Sequence, residues 1–177
     1  TSIPQTSIRS VCDRAVEFLK QPRVGPFFLN LWIHESHVPV GPSTESYNAN
    51  NHLLDDRKRR YVGVITDAYE GEGKVLNTLR DLTMDKTTMV IFASDNGPAR
   101  WSDVPGHLNY YNFRTNGGRR GSKGSLDEGG IRLPLIVRWP GKTPENLIDK
   151  TTVIAGVDLL PTLVSIAHGT LPSNYIA

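Results

Sequence analysis

Cysteine is almost absent from this chain: Cys12 is the single one among 177 residues. A disulfide within the chain is therefore excluded, and a cysteine-built zinc site is disfavoured. A lone thiol is compatible with any redox compartment. Charge of one sign is also lacking, since 20 basic residues face 18 acidic ones for a formal net charge of +2. That balance points to neither nucleic acid nor a membrane surface as the main partner. No apolar run approaches the roughly 20 residues that span a bilayer, and no signal-peptide pattern opens the chain. The first residue is Thr1 rather than Met, so a processed product or a piece of a longer protein is expected.

What is present suits a packed α/β protein. The hydrophobic fraction is 38%, too high for a disordered chain. Ile8, Val11, Cys12, Ala15, Phe18 and Leu19 recur at helical spacing, and Pro22 and Gly25 should end that helix. The run Phe27 to Ile33 reads as a buried strand. Residues Ser36 to Asn51, rich in Pro, Gly, Ser and Asn, read as a loop. A long helix is expected from about Asp55 to Leu82, with Tyr61, Val64, Ile65, Ala68, Val75, Leu76 and Leu79 as its apolar stripe. The charge run Asp55 to Arg60 reads as a solvated helix face.

Thr88 to Ser94 and Leu133 to Trp139 are two further candidate strands, the latter followed by a turn at Pro140, Gly141 and Lys142. Asp158 is placed to N-cap a last helix that runs through Ala167, with Pro161 in its first turn and Gly169 beyond its end. This alternation predicts one α/β domain, a sheet flanked by helices, without internal repeats. Open α/β sheets bind ligands beyond the carboxyl ends of their strands. Polar clusters fall at two such ends.

The first cluster is His34-Glu35-Ser36-His37. Imidazoles titrate near neutrality and can donate a proton to a leaving group or bind an anion. The same residues could be ordinary loop histidines, or half of a transition-metal site. The second is Asp95-Asn96-Gly97. A carboxylate beside an amide carbonyl suits Ca²⁺ or Mg²⁺, and Asn-Gly is equally a common turn signal. The third runs from Gly121 to Pro134 around Lys123. A lysine among glycines can reach an anion while the backbone approaches closely; it can also sit on a plain surface loop. The Gly-x-x-x-x-Gly-Lys-Ser/Thr spacing of a phosphate-binding P-loop is not there. Glu128 and Arg132 are spaced to pair with each other. Together the clusters suit hydrolysis of an anionic ester, with a metal and cations stabilising charge on its oxygens.

At this point the chain resembles the sulfatase family of the alkaline-phosphatase superfamily. The matching stretches are Pro26-Phe27-Phe28-Leu29 leading to His37-Val38-Pro39, then Val90 to Gly97, Lys123-Gly124 with Glu128 to Pro134, Ile136 to Gly141, and Asp158 to Leu163. They come in the family's order and cover nearly the whole chain. The resemblance implies part of an alkaline-phosphatase-like α/β fold, the C-terminal portion of the catalytic domain. It implies that Asp95 and Asn96 are two ligands of a Ca²⁺ (or Mg²⁺). His37 would contact the sulfate and assist its chemistry. Lys123 would bind the ester and stabilise or protonate the leaving oxygen. Glu128, Gly129, Gly130 and Arg132 would shape the loop that presents Lys123, and His34 is a weaker candidate for substrate contact.

The resemblance also implies a formylglycine nucleophile, made from Cys or Ser in Cys/Ser-x-Pro/Ala-x-Arg. No such motif occurs here, and Cys12 in Cys12-Asp13-Arg14-Ala15-Val16 does not match it; it reads as a core residue. The family's earlier Asp pair is missing too. Both belong upstream, so the missing N-terminal half of the domain is the first expected partner, and this chain alone is expected to be inactive. Tyr69 stands where relatives often carry an acidic residue, and His168 reads as a helix-end surface group. The parent is expected to cleave sulfate esters of sulfated sugars or aryl sulfates. Arg100, Trp101, Tyr110, Tyr111, Arg114, Arg119 and Arg120 are cationic and aromatic candidates for holding a sulfated sugar. A phosphodiester or phosphonate hydrolase of the same superfamily is the alternative enzyme. Family members are secreted, periplasmic or lysosomal, and the sequence selects none of these.

Overall fold

The computed structural model describes residues 8–34, 36, 37, 40–99 and 116–176. Two compact units divide the chain, Thr1–Thr143 and Pro144–Ala177. In the first unit the core is built on two helices, α1 (Ile8–Lys20) and α3 (Asp56–Asp81). Cys12, Ala15 and Leu19 of α1 are buried against Val75 and Leu79 of α3, as their helical spacing requires. Cys12 is fully buried and is a core residue. Asp55 N-caps α3 by accepting from the backbone N–H groups of Arg57 and Lys58, which satisfies two donors that the first turn would otherwise leave open. At the other end the N–H of Thr83 reaches Arg80 O and that of Met84 reaches Leu79 O. This closes the helix in a Schellman arrangement, with Thr83 in the left-handed region at φ 56°.

The run Phe27 to Ile33 departs from the expected strand. No strand is assigned there, and it has no ladder partner among the described residues. Its burial still alternates as an extended segment does. Phe27, Leu29, Leu31 and Ile33 pack on the α1/α3 core, whereas Phe28 and Trp32 are 72% and 79% exposed. A run that is apolar on both faces fits a strand covered from both sides, and only one side is covered here.

The loop expected over Ser36 to Asn51 contains a short helix, α2 (Thr44–Ala49). Polar chemistry, not apolar burial, fastens it to α3. Asp67, 6% exposed, accepts from the backbone N–H and the hydroxyl of Ser43 and from the hydroxyl of Ser46, each at 2.7 Å. Ser43 in turn caps α2 by accepting from Ser46 N–H. Gly63 lets Pro42 close in, since a Cβ at that position would lie 2.8 Å from Pro42 Cβ.

The remaining two strands are β1 (Val90–Ala93) and β2 (Leu135–Arg138), paired antiparallel with Ala93 opposite Leu135. Arg138 bonds the backbone and carboxylate of Asp85, which ties the turn before β1 to the end of β2. The predicted turn follows β2, with Gly141 at φ 73° and Lys142 N–H on Trp139 O.

In the second unit a 3-10 turn (Gly156–Asp158) leads into α5 (Leu159–Ile166). Asp158 does not cap α5 as its position suggested: its backbone is already helical, and its carboxylate accepts from Ala155 N–H, one turn earlier. The exposed His168 takes the left-handed position after α5, at φ 55°. No helix among the described residues is long and apolar enough to cross a membrane.

Candidate active site

The antiparallel register decides where the polar clusters meet. Because Ala93 faces Leu135, the chain leaving β1 runs beside the chain entering β2. Asp95-Asn96-Gly97 is the first of these segments. The loop of Lys123, ending in the short helix α4 (Glu128–Ile131), is the second.

Backbone hydrogen bonds stitch the two together. Gly97 N–H donates to Gly130 O at 3.0 Å and Lys123 N–H donates to Pro98 O at 2.9 Å. Glycine is required where the two segments close on each other. A Cβ on Gly97 would lie 2.0 Å from Gly129 O, and one on Gly130 would lie 2.3 Å from Ser125 O. Asp95 and Lys123 are exposed at this seam, and Asn96 is half-buried. The Asn96 amide donates to Gly97 O, while Ser94 Oγ donates to Asn96 O.

The lysine loop is held from its own side as well. Gly129 N–H donates to Arg120 O at 2.7 Å, and Ser122 and Ser125 bond each other. Glu128 and Arg132 pair at 2.7 Å one helical turn apart. The Arg132 hydrogen bond, together with the Arg132 and Arg119 charges, holds the Glu128 carboxyl below its usual range. Arg119 lies 3.9 Å from Glu128, and Arg120 lies 3.5 Å from Asp127. The two arginines proposed for substrate are thus each drawn to a carboxylate of their own loop.

His34 and His37 form a second group. Their rings are 4.7 Å apart, and His37 N–H donates to His34 O. Both are exposed, and they follow directly on Ile33, which is anchored in the core. Among the candidate residues, Glu35, Val38, Pro39, Arg100, Trp101, Tyr110, Tyr111 and Arg114 lie outside the described residues. Tyr69 points away from the core and is 76% exposed.

Among the described residues no group of three or more His, Cys, Asp or Glu side chains could hold a metal. Asp95 and Asn96 are hard oxygen donors side by side at a strand end. They fit a Ca²⁺ or Mg²⁺ by donor type and supply two of the six to eight oxygens that Ca²⁺ takes.

Two organising residues, Asn116 and Asp67, carry only a faint signal in the sequence. Asn116 organises the lysine loop from in front, and Asp67 fastens α2. Asn116 precedes Gly117-Gly118, a turn signal that could have drawn attention to it. Asp67 lies among the apolar positions of α3, a place where a carboxylate needs partners.

The family model described as Sulfatase matches residues 2–170. A sulfatase of Formosa agariphila is 34% identical over 161 residues, covering 84% of this chain and 27% of that protein. An N-acetylgalactosamine-6-O-sulfatase of Bacteroides thetaiotaomicron is 30% identical over 169 residues, covering 93% of this chain and 31% of that protein. Rat arylsulfatase G is 28% identical over 167 residues, at 92% and 30% coverage. The chain thus spans about 30% of the length of the relatives it matches. Among solved structures, Ps i-CgsB in complex with k-i-k-neocarrahexaose superposes with a TM-score of 0.81 at 24% identity, over 94% of this chain and 35% of that one. A structure from work on glycosaminoglycan metabolism in Bacteroides thetaiotaomicron gives a TM-score of 0.77 at 28% identity, over 94% and 34%. These relatives share the alkaline-phosphatase-like fold, of which this chain has part. The chain belongs to the sulfatase family.

Proposed function

We propose that this chain supplies the C-terminal share of the active site of a sulfuric-ester hydrolase that acts on sulfated sugars. The observation that carries this reading is the pair of backbone bonds joining Asp95-Asn96-Gly97 to the Lys123 loop, in a chain that belongs to the sulfatase family. Sugar sulfatases among the relatives support the substrate class.

In this reading Asp95 and Asn96 would hold a Ca²⁺ or Mg²⁺, which would supply positive charge beside the sulfate oxygens. A formylglycine on a segment upstream of these residues supplies the nucleophile. Lys123 approaches the ester from the neighbouring loop. Its ammonium stabilises the leaving oxygen as the bond to sulfur lengthens and can give it a proton. His37 contacts the sulfate and donates or accepts a proton on the same ester, with His34 stacked beside it. Arg119 and Arg120 offer cations for which a polyanionic sugar can compete with Glu128 and Asp127.

The test is turnover of an aryl sulfate and a sulfated monosaccharide by the full-length protein. Lys123→Ala and His37→Ala should each lower kcat by about 10²–10⁴-fold, the usual contribution of a positioned acid or base. Wild-type turnover in both variants would sink the reading.

A further inference from the structure

The Lys123 loop has a latch in front of it that the family comparison does not assign. Asn116 reaches into the loop with one side-chain amide. Its Nδ2 donates to Arg119 O at 2.8 Å and to Gly121 O at 3.2 Å. The backbone carbonyl of Asn116 accepts from Arg119 Nη1 at 2.8 Å. Between these anchors Gly117, Gly118 and Gly121 take positive φ of 69°, 71° and 86°. That is a conformation with little intrinsic preference, so the side chain must select it.

The latch connects onward to the seam. The next carbonyl, Arg120 O, accepts from Gly129 N–H, and Lys123 N–H sits on Pro98 O. Gly129 also leaves room for the amide, since a Cβ there would lie 2.7 Å from Asn116 Nδ2. A primary amide is the group that fits. It offers two N–H donors from one nitrogen, and both meet carbonyl oxygens. A carboxylate of the same shape would present lone pairs to those two oxygens.

We propose that Asn116 is a positioning residue for Lys123: it fixes the turn from which the lysine loop springs, and so sets where the ammonium meets the sulfate ester. The inference rests on the catalytic role proposed above for Lys123, and its test separates the two. The variants are Asn116→Asp, Lys123→Ala and their combination in the full-length protein, with kcat and KM on an aryl sulfate. Asn116→Asp should lower kcat by at least about tenfold and by no more than the roughly 10²–10⁴-fold expected for loss of Lys123 itself, and leave KM for a small aryl sulfate within a few-fold. In the Lys123→Ala background the same change should cost almost nothing more, because the group it positions is gone.

A multiplicative loss in the double variant would overturn the proposal, as would unchanged kcat in Asn116→Asp. Should Lys123→Ala keep wild-type turnover, the role of Lys123 fails. Amide hydrogen exchange in the 177-residue chain then judges Asn116 alone, and it serves equally if the Asp variant of the full protein misfolds. Asn116→Ser should speed exchange at Lys123 and Gly129 by at least tenfold while leaving Val75 and Leu79 of α3 protected. Protection unchanged at Lys123 and Gly129 would overturn the latch.

Discussion

The backbone N–H of Lys123 donates to the carbonyl oxygen of Pro98 at 2.9 Å. Through that bond the loop carrying a candidate acid is tied to the loop carrying two candidate metal ligands. Together with Gly97 N–H on Gly130 O at 3.0 Å, it makes the seam a single unit.

The seam predicts a specific intolerance at Gly97. An added Cβ would lie 2.0 Å from Gly129 O and 2.9 Å from Gly129 C, both backbone atoms that cannot swing away. Gly97→Ala should destabilise the first unit by about 3 kcal/mol, the upper range for forced overpacking. Urea denaturation checks this through its midpoint. An unchanged midpoint would show that the two loops do not approach as described.

Asp67 predicts a loss confined to α2. Its carboxylate serves three donors, and hydrogen bonds to charged groups are worth about 1.5–3 kcal/mol each. Asp67→Ala should cost on the order of 3 kcal/mol and free the amides of Ser46 and Tyr47 to exchange. Those of Val75 and Leu79 in the core should keep their relative order of protection. Exchange of Ser46 at the wild-type rate would contradict the anchoring role.

Much of this was legible in the sequence because it depends on local pattern. Helical spacing fixed α1 and α3, whereas the Asp55 cap emerges from the structure. Short apolar runs marked β1 and β2. What was not legible depends on partners distant in sequence. The Phe27 to Ile33 run has strand composition, but pairing needs a neighbour, and none lies among the described residues. Helix α2 is polar, and its stability comes from Asp67, 21 residues beyond Ser46. Of the candidate site, Asp95 and Asn96 were legible as hard oxygen donors just beyond β1, whereas the run before His34 forms no strand. That Asp95, Asn96 and Lys123 share one seam required the antiparallel register of Ala93 with Leu135.

Acid should loosen the lysine loop before it unfolds the helices. Hydrogen bonding from Arg132, and the charges of Arg132 and Arg119, lower the Glu128 carboxyl from its ordinary value of 4.5. A carboxyl lowered in the folded state contributes stability that is complete above its unfolded value and is lost as pH falls through the folded one. Exchange at Gly130 and Ile131 should therefore accelerate, relative to α3, as pH drops below about 4.5. Glu128→Gln should remove that pH dependence. A variant that keeps it would assign the effect to another group.

The chain by itself should be catalytically silent. It carries no Cys/Ser-x-Pro/Ala-x-Arg motif, and among its described residues no group of three or more His, Cys, Asp or Glu side chains could hold a metal. Purified to homogeneity, it should hydrolyse neither an aryl sulfate nor a sugar sulfate. Turnover that survives purification and vanishes in Lys123→Ala would contradict this.

The claim on which the functional account depends is that His37, Asp95, Asn96 and Lys123 surround one cation-and-anion pocket. Paramagnetic broadening by Mn²⁺, a hard cation that takes the same oxygen donors, tests it directly in the 177-residue chain. With sulfate present and Mn²⁺ well below stoichiometric, the account predicts that Asp95 and Asn96 broaden first and that Lys123 and the His37 ring follow. Broadening centred instead on Asp55 and Asp56 or on Asp149, with Lys123 and His37 left sharp, would contradict it.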